Sequence, residues 1–250
     1  MNPGRASGFL ARLFCISLFA LVPLAGAQAA FEACADYFPQ GQPPALQLPG
    51  LQVRDICFDS FAVLHSGKTK TPVYAVEKLN RERLLAARDE QRTNRFYEEA
   101  RLPRRERARL EDYKDSGYDR GHMAPAGDMP NPDAMAQSFS LANVVPQVQS
   151  HNRKTWNRIE RDTRRYAMRA KGDVYVFTGP WFSGPPTLIG SGVWVPEYLW
   201  KLVYDPATGR AWVHWSRNSS GQPVLPPIGY DEFVRRTGLR LLPETAAVRP

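Results

Sequence analysis

Short runs of alternating hydrophobic and polar residues recur along the chain, which is the pattern of half-buried β-strands. Residues 55–64 and 71–79 form two such runs. The Gly-containing segment 65–68 between them predicts a β-hairpin, with His65 exposed at its turn. Further strands are predicted at 174–178, 193–205 and 211–216. A sheet is therefore expected to be the largest element of the fold.

The strongest helical periodicity begins at Asn152. Apolar residues recur there at helical spacing, and Gly172 stands where a C-terminal cap belongs. The apolar stripe consists of Trp156, Ile159, Thr163, Tyr166, Ala167 and Ala170, and the far face carries Arg158, Arg161, Arg165 and Arg169. Glu160 and Arg164 border the stripe, where they can reach a cleft or simply form an i, i+4 ion pair.

Shorter helices are predicted at 134–139 and 231–238. Strands precede and follow the helices, and the sequence contains no internal repeat and no low-complexity linker. This order predicts an α+β fold, with residues 30–250 as a single domain.

Residues 1–29 have the composition of a secretory signal peptide. Arg5 and Arg12 precede an apolar run at 13–24, and small residues follow at 27–29. Because the run is too short to span a bilayer, we expect cleavage and an exported protein, periplasmic or extracellular, with no membrane partner. A retained membrane anchor is the alternative.

The chain is basic, with a net charge of +8. Two of its 33 basic residues and none of its 25 acidic residues precede residue 30, so 31 basic residues remain and the net charge beyond that point is +6. A basic protein favours nucleic acid, anionic lipid or acidic polysaccharide, although a merely soluble basic surface has the same composition. Cys34 and Cys57 predict one disulfide in an exported chain, with two buried thiols as the alternative.

Arginines and acids are interleaved over residues 80–111, where few apolar residues occur. The favoured interpretation is a solvated helix or loop with charges of both signs. The alternative is a surface that follows the phosphates of a nucleic acid.

Candidate chemistry concentrates in residues 115–128. Asp119-Arg120-Gly121-His122 combines a carboxylate, a fixed cation, a residue free to adopt positive φ, and an imidazole that can accept a proton near neutral pH. Asp119 is expected to order the loop. His122 alone could be a loop histidine whose hydrogen bonds are satisfied, and Asn152 alone could be a helix N-cap.

The other histidines are weaker candidates. His214 alternates with apolar residues and is expected to lie in the sheet, and His151 is expected to be structural or to face the substrate.

A family resemblance joins these segments. Tyr118 to His122, Ala124 to Ala126, Asn143 to Gln147, and then Asn152, Trp156 and Glu160 resemble the DNA/RNA non-specific endonucleases of the ββα-metal (His-Me finger) superfamily, which are secreted sugar-non-specific nucleases. The resemblance runs from about Cys57 to the C-terminal helix. It implies a ββα-metal core and a central, mainly antiparallel sheet flanked by helices.

The resemblance also implies catalytic roles. His122 would be the general base, with its other ring nitrogen held by a carbonyl oxygen. Arg120 and Arg164 would bind the substrate phosphate, and Asn143 would be a supporting polar residue. Asn152 would be the direct ligand of one Mg²⁺, and Glu160 would hold the ion through water. Mn²⁺ or another divalent ion is the alternative cofactor.

These roles predict a secreted, Mg²⁺-dependent endonuclease that hydrolyses phosphodiester bonds of DNA and RNA. The alternatives are a basic nucleic-acid-binding protein that has lost catalysis on the same scaffold, and a phosphodiesterase of that scaffold that acts on another polyanion or a smaller ester. A homodimer and an inhibitor protein of unknown identity are left open as partners.

Overall fold

The structure is a computed structural model that describes residues 1, 4 and 31–248. The predicted signal peptide therefore lies outside the described residues, except for Met1 and Gly4. Within the described part, no helix has the length and apolar character needed to cross a membrane.

The largest element is a seven-stranded sheet in which every neighbouring pair is antiparallel. Its strands, in spatial order, are β1 (Val53–Cys57), β2 (Phe61–Ser66), β3 (Thr71–Leu79), β6 (Val174–Trp181), β9 (Tyr198–Asp205), β10 (Arg210–Arg217) and β11 (Ile228–Gly229). Two separate strand pairs are β4 (Tyr118–His122) with β5 (Val144–Val148), and β7 (Thr187–Ile189) with β8 (Val193–Val195). The predicted mainly antiparallel sheet is confirmed.

Helices lie on both faces of this sheet. They are α1 (Arg81–Ala86), α2 (Leu110–Tyr113), α3 (Pro132–Ser138), α4 (Asn157–Ala167) and α5 (Tyr230–Thr237). Because side chains alternate along a strand, Val63 packs towards Ile159 of α4, whereas its neighbour Leu64 belongs to the core that contains Phe233 of α5. The two faces therefore have separate cores, and α4 and α5 lie on opposite sides of the sheet.

The β4–β5 hairpin and the helix that follows form a ββα unit. β5 leads through Val148 into a π-helical turn, His151–Trp156, which continues directly into α4. The predicted ββα core is confirmed, although neither hairpin strand was predicted. Both strands are short, and Gly121 and Pro146 interrupt the alternation that identifies a strand.

Several predicted boundaries are wrong. The strand predicted at 55–64 is two strands, because the chain reverses between β1 and β2, where the Phe58 amide donates to the Phe61 carbonyl at 2.9 Å. The strand predicted at 193–205 is interrupted at Pro196, which has no amide hydrogen for a ladder. The helix predicted to end at Gly172 ends at Ala167.

His65 also differs from its prediction. It lies within β2, is fully buried, and its Nε2 is 2.9 Å from the Glu106 carbonyl oxygen. The prediction failed because the turn begins two residues later, beyond Ser66. Residues 80–111 are mostly irregular, as expected, but Leu102 and Ala108 are buried, so this segment covers part of the core.

Cys34 and Cys57 form the predicted disulfide. It joins the N-terminal 3₁₀ segment to the end of β1, across a sequence separation of 23 residues. Phe31 and Phe38 lie on either side of Cys34 in the chain and pack against Tyr74 of β3. The bond therefore holds an aromatic cover over the face of the sheet that also carries α5.

Replacing Cys34 and Cys57 together with serine should lower the free energy of unfolding by about 3 kcal/mol, because the unfolded chain regains the entropy of an open loop. Urea unfolding of the oxidised protein and of the double variant measures the difference. Reductant should destabilise the wild type and leave the variant unchanged; equal stability of the two oxidised proteins would contradict the prediction.

Candidate active site

A polar cleft of about 340 Å³ lies between β4, the loop that follows it, and the start of the helix. It is lined by Arg92, Arg120, His122, Pro125, Ala126, Gly127, Asn152, Arg153, Asn157, Glu160 and Arg164. The structure thus brings together His122, Arg120, Asn152, Glu160 and Arg164, five of the six side chains for which catalysis or metal binding was predicted.

Two aromatic rings hold His122 in place at the end of β4. The imidazole is 7% exposed and lies 5.3 Å from the ring of Phe96 and 4.9 Å, edge to face, from the ring of Phe139. The guanidinium of Arg120 lies over the Phe96 ring, and that of Arg92 lies over the Phe139 ring, at 4.8 and 5.1 Å. Each phenylalanine therefore positions one arginine as well as the histidine.

The surroundings keep His122 neutral. Burial, together with the positive charge of Arg92, lowers its pKa to about 3. A neutral imidazole at pH 7 has a lone pair with which to accept a proton. Its buried Nε2 has no hydrogen-bond partner among the described residues, so the carbonyl predicted to orient the ring is not found there.

Gly121 is required for space rather than for backbone conformation. Glycine is free to adopt a positive φ, but Gly121 does not do so here. A Cβ at this position would lie 2.0 Å from Oε1 of Gln147 on the paired strand. The Gln147 side chain occupies that space and continues to His151, where Nε2 of the amide lies 2.9 Å from Nδ1.

His151 is structural. It is buried, and its Nε2 lies 2.7 Å from the Ser216 hydroxyl on β10. Burial lowers its pKa to about 4, so it is neutral at pH 7. The chain Gln147, His151 and Ser216 ties the first turn of the helix to both the hairpin and the sheet. His214, as predicted, lies in β10 and does not line the cleft.

Asp119 fixes Asn152, the next residue of that turn. The Asn152 Nδ2 donates to Oδ2 of Asp119 at 3.0 Å, which leaves the amide oxygen of Asn152 for a ligand. Arg153 donates to both carboxylate oxygens of Asp119, at 2.8 and 2.7 Å. Asn152 is therefore not acting as an N-cap, and Asp119 orders the helix start as well as its own loop.

Glu160 and Arg164 do not form the i, i+4 pair that the sequence allowed. Among the described residues, the ion-pair partner of Arg164 is Asp128, whose Oδ1 accepts from Nη1 at 2.8 Å. Burial raises the pKa of Glu160 to about 7, an effect that Lys201 and Arg164 partly offset. A cation bound in the cleft would favour the ionised form of this carboxyl.

Asn143 lies behind the cleft rather than in its lining. It is fully buried, accepts from the Ala124 amide at 2.9 Å, and donates to the carbonyls of Ala124 and Ser138 at 2.9 and 3.0 Å. These bonds fix the backbone immediately after His122. Asn143, predicted to be a supporting polar residue, thus supports the backbone next to the site and does not line the cleft.

The chain offers few ligands for a metal. No group of three or more His, Cys, Asp or Glu side chains in the described part is arranged to hold an ion. The cleft provides two side-chain amide oxygens, from Asn152 and Asn157, and one carboxyl, from Glu160. Oxygen donors this few suit a hard divalent ion that keeps most of its water, as Mg²⁺ does, and exclude a closed zinc site.

Sequence reasoning missed four residues of this site. Arg92 was assigned to a solvated segment, although it lines the cleft. Phe96 and Phe139 were not recognised as the frame of His122, and Asp128 was not recognised as the partner of Arg164. For Asp128 a signal was available, because it is the last carboxylate of the 115–128 stretch and Arg164 was already placed at the border of the apolar stripe of the helix.

Comparison with known families agrees with this geometry. The sequence model of a family described as DNA/RNA non-specific endonuclease matches residues 45–231, which is most of the chain. The chain belongs to this family. The matched range contains the hairpin, the helix and the residues that line the cleft.

Individual relatives of the chain are also named as nucleases. A Xenopus laevis protein named mitochondrial nuclease EXOG is 36% identical over 199 residues, covering 74% of this chain and 53% of that protein. Human mitochondrial endonuclease G is 34% identical, covering 65% and 58% of the two chains. The chain thus spans about half the length of the curated relatives it matches.

A solved structure shares the fold. A chain of an EndoG/EndoGI complex, whose crystal structure concerns the mechanism of EndoG inhibition, superimposes with a TM-score of 0.68 and 26% sequence identity. The alignment covers 78% of this chain and 87% of the EndoG chain.

The predicted exported location is wrong by this comparison. Similar nucleases from Xenopus laevis, Schizosaccharomyces pombe, human and Saccharomyces cerevisiae are named mitochondrial, which points to a mitochondrial rather than an exported location. The prediction depended on two arginines before an apolar run at 13–24 and on small residues at 27–29. Mitochondrial targeting segments are also arginine-containing and poor in acids, as residues 1–29 are, so this part of the composition does not separate the two destinations.

The depressed pKa of His122 predicts a pH-dependent stability. Below pH 6.5 the unfolded chain protonates this imidazole, whereas the folded protein does not until about pH 3. Between these values the titration of His122 lowers the free energy of unfolding by up to about 1.4 kcal/mol for each unit that the pH falls. Replacing His122 with phenylalanine, which suits the aromatic frame, should remove that share of the slope.

Urea unfolding at several pH values between about 3 and 7 measures both slopes. Buried His65 and His151 and partly buried His214 remain in the variant, and their lowered pKa values leave part of the slope in place. An unchanged slope in the phenylalanine variant would show that His122 titrates in the folded protein as it does in the unfolded chain.

Proposed function

We propose that the protein is a Mg²⁺-dependent endonuclease that hydrolyses phosphodiester bonds in both DNA and RNA. The observation that carries the proposal is the convergence of a neutral histidine, cationic side chains, an amide oxygen and a carboxyl on one cleft. The hydrolysis of a phosphodiester needs a base for water, cations for the phosphoryl oxygens and stabilisation of the leaving oxygen. The nuclease names of the relatives support the same reaction class.

His122 is the general base in this proposal. It takes the proton from the attacking water, and the Phe96 and Phe139 rings restrict its imidazole to one orientation. A buried, neutral imidazole is ready to accept at pH 7, and the imidazolium formed is stabilised only while an anion lies nearby. Base strength therefore rises when the negative phosphate occupies the cleft.

Arg120 and Arg164 bind the phosphate, and Arg92 joins them. Arg164 is held by Asp128, and Arg120 and Arg92 are held over aromatic rings, so their guanidinium groups are positioned before substrate arrives. Preorganised cations stabilise the charge that develops on the phosphoryl oxygens without further reorganisation. Their fork geometry also suits two-point contact with phosphate.

The Asn152 amide oxygen would hold Mg²⁺ directly, and Glu160 would hold it through water. When bound, the ion supplies electrostatic stabilisation of the phosphate and of the leaving oxygen. Asp119 supports this arrangement by binding the Asn152 nitrogen, which turns the oxygen of the same amide away from the carboxylate. Lys201 and Arg164 stabilise the ionised form of Glu160.

The proposal extends to organisation and regulation. We assign the nuclease to one domain, residues 30–250, because the family match and the cleft both fall within it. We also assign a protein inhibitor as a partner, on the basis of the similar EndoG chain in its EndoG/EndoGI complex.

The direct test is digestion of supercoiled plasmid and of single-stranded RNA by purified protein with Mg²⁺. Both substrates should be cut, and a chelator should stop both reactions. His122→Ala should lose activity by roughly 10²-fold or more, which is the usual contribution of general base catalysis, while retaining DNA affinity.

Intact plasmid and intact RNA at saturating Mg²⁺ would overturn the proposed function and favour a binding protein without catalysis. His122→Phe serves as the matched control for packing, because it fills the aromatic frame but cannot accept a proton. Activity in the phenylalanine variant would remove His122 from the role of base.

Asn152→Ala should raise the Mg²⁺ concentration needed for half-maximal cleavage by at least about tenfold, because the direct protein oxygen is lost. Titration of activity with Mg²⁺, and calorimetric titration of the protein with Mn²⁺, measure the change. Asn157→Ala is the control, since Asn157 lines the same cleft about one helical turn later. Matching metal dependence in the two variants would exclude Asn152 as a ligand.

A further inference from the structure

A second, larger concavity of about 490 Å³ adjoins the cleft. We call it the arginine groove. It is lined by Arg81, Leu84, Arg88, Gly127, Arg161, Arg164, Arg165, Met168 and Arg169. One wall comes from α1 and the residues just after it, and the other comes from α4 and its C-terminal end. Leu84 and Met168 are its apolar members.

The charge of the groove has one sign. Six of the nine lining residues are arginines, and no Asp or Glu is among them. Within the described part of the chain, Arg81, Arg88, Arg161 and Arg169 form no ion pair; Arg165 pairs with Asp162, and Arg164 with Asp128. Guanidinium groups gathered this way repel one another, so the arrangement favours the binding of an extended anion.

The groove is continuous with the cleft. Gly127 and Arg164 line both, and a Cβ on Gly127 would lie 3.4 Å from the Arg164 guanidinium. Gly127 and Arg164 therefore form the border that the two concavities share. An anion that occupies both must place one phosphate in the cleft and others beside it, as a polynucleotide does.

We propose that the arginine groove binds the phosphate backbone of the nucleic acid on one side of the bond that is cut. The inference rests on the proposed function and adds the direction in which the substrate leaves the cleft. Arginine contacts to phosphates carry no sequence information, so the groove contributes affinity for DNA and RNA alike. The four arginines without an ion partner adapt to the different backbone spacings of the two polymers.

An anionic membrane is the competing ligand for a cluster of arginines. The concave shape and the border shared with the cleft at Gly127 and Arg164 favour a strand that enters the cleft over a lipid surface. The two are separated in the test by vesicles of phosphatidylglycerol offered alongside a DNA duplex and a single-stranded RNA.

The test compares two triple variants, each built in His122→Ala so that the substrate stays intact. The groove variant carries Arg88→Gln, Arg161→Gln and Arg169→Gln. The control carries Arg235→Gln, Arg236→Gln and Arg240→Gln, which remove the same charge from α5 and the residues after it, on the opposite face of the sheet. All six arginines are exposed, so both variants should fold.

Fluorescence anisotropy across about 50 to 300 mM salt gives affinity and its salt dependence. If each arginine contacts one phosphate, the groove variant lowers the slope of log K against log salt by about 2.7 for a duplex. Its dissociation constant rises roughly 10- to 100-fold at about 0.1 M salt, and the control stays near the parent protein.

Equal affinity and slope in the two triple variants would overturn the groove assignment. Loss of vesicle binding with unchanged duplex and RNA affinity would assign the groove to lipid instead. The single variant Arg161→Gln, with an expected slope change of about 0.9, decides the question if the triple variant fails to fold. Cleavage by the wild-type protein tests the proposed function separately, since none of these binding measurements depends on it.

Discussion

The close contact between Gly121 and Gln147 is the constraint on which the site depends. Gln147 can lie against β4 only because Gly121 has no side chain, and from that position it reaches His151. His151 in turn is bound to Ser216 on the large sheet. Arg120 and His122 flank Gly121 in the chain, and Asn152 follows His151. One close backbone approach thus sets the separation of the proposed base, phosphate site and metal ligand.

Burial and fixed charge then determine the protonation of the site. Burial lowers the pKa of His122 and raises that of Glu160, because in both cases it disfavours the charged form. Arginines around the cleft reinforce the first shift and offset the second. Before substrate and metal bind, the cleft would therefore hold a neutral base and a carboxyl with a pKa of about 7, and its charges would be best balanced when an anionic phosphate and a cation enter together.

The features that the sequence could predict are those set by neighbouring residues, and the features that it could not predict depend on contacts between segments far apart in the chain. The helix after Asn152 and the hairpin of β2 and β3 were predictable, because apolar periodicity reflects burial on a regular element. The β4–β5 hairpin was not, because Gly121 and Pro146 serve contacts with other segments and interrupt the local pattern. Residue chemistry alone left the roles of the site residues ambiguous, and the family resemblance assigned them. Arg92 and Asp128 depend on contacts between distant segments, with Phe139 and Arg164, which no local spacing records.

The two concavities differ in how their arginines are held, and this difference matches the role proposed for each. Around the cleft, Arg164 has a carboxylate partner, and Arg92 and Arg120 have aromatic supports, so each guanidinium has a defined position. A reaction centre needs such positions, because misplaced cations stabilise the transition state poorly. In the arginine groove four of the six arginines have no ion partner within the described residues, so no ion pair restricts their rotamers. Freedom of that kind weakens each contact but accommodates backbones of different spacing, which suits the proposed cleavage of both DNA and RNA.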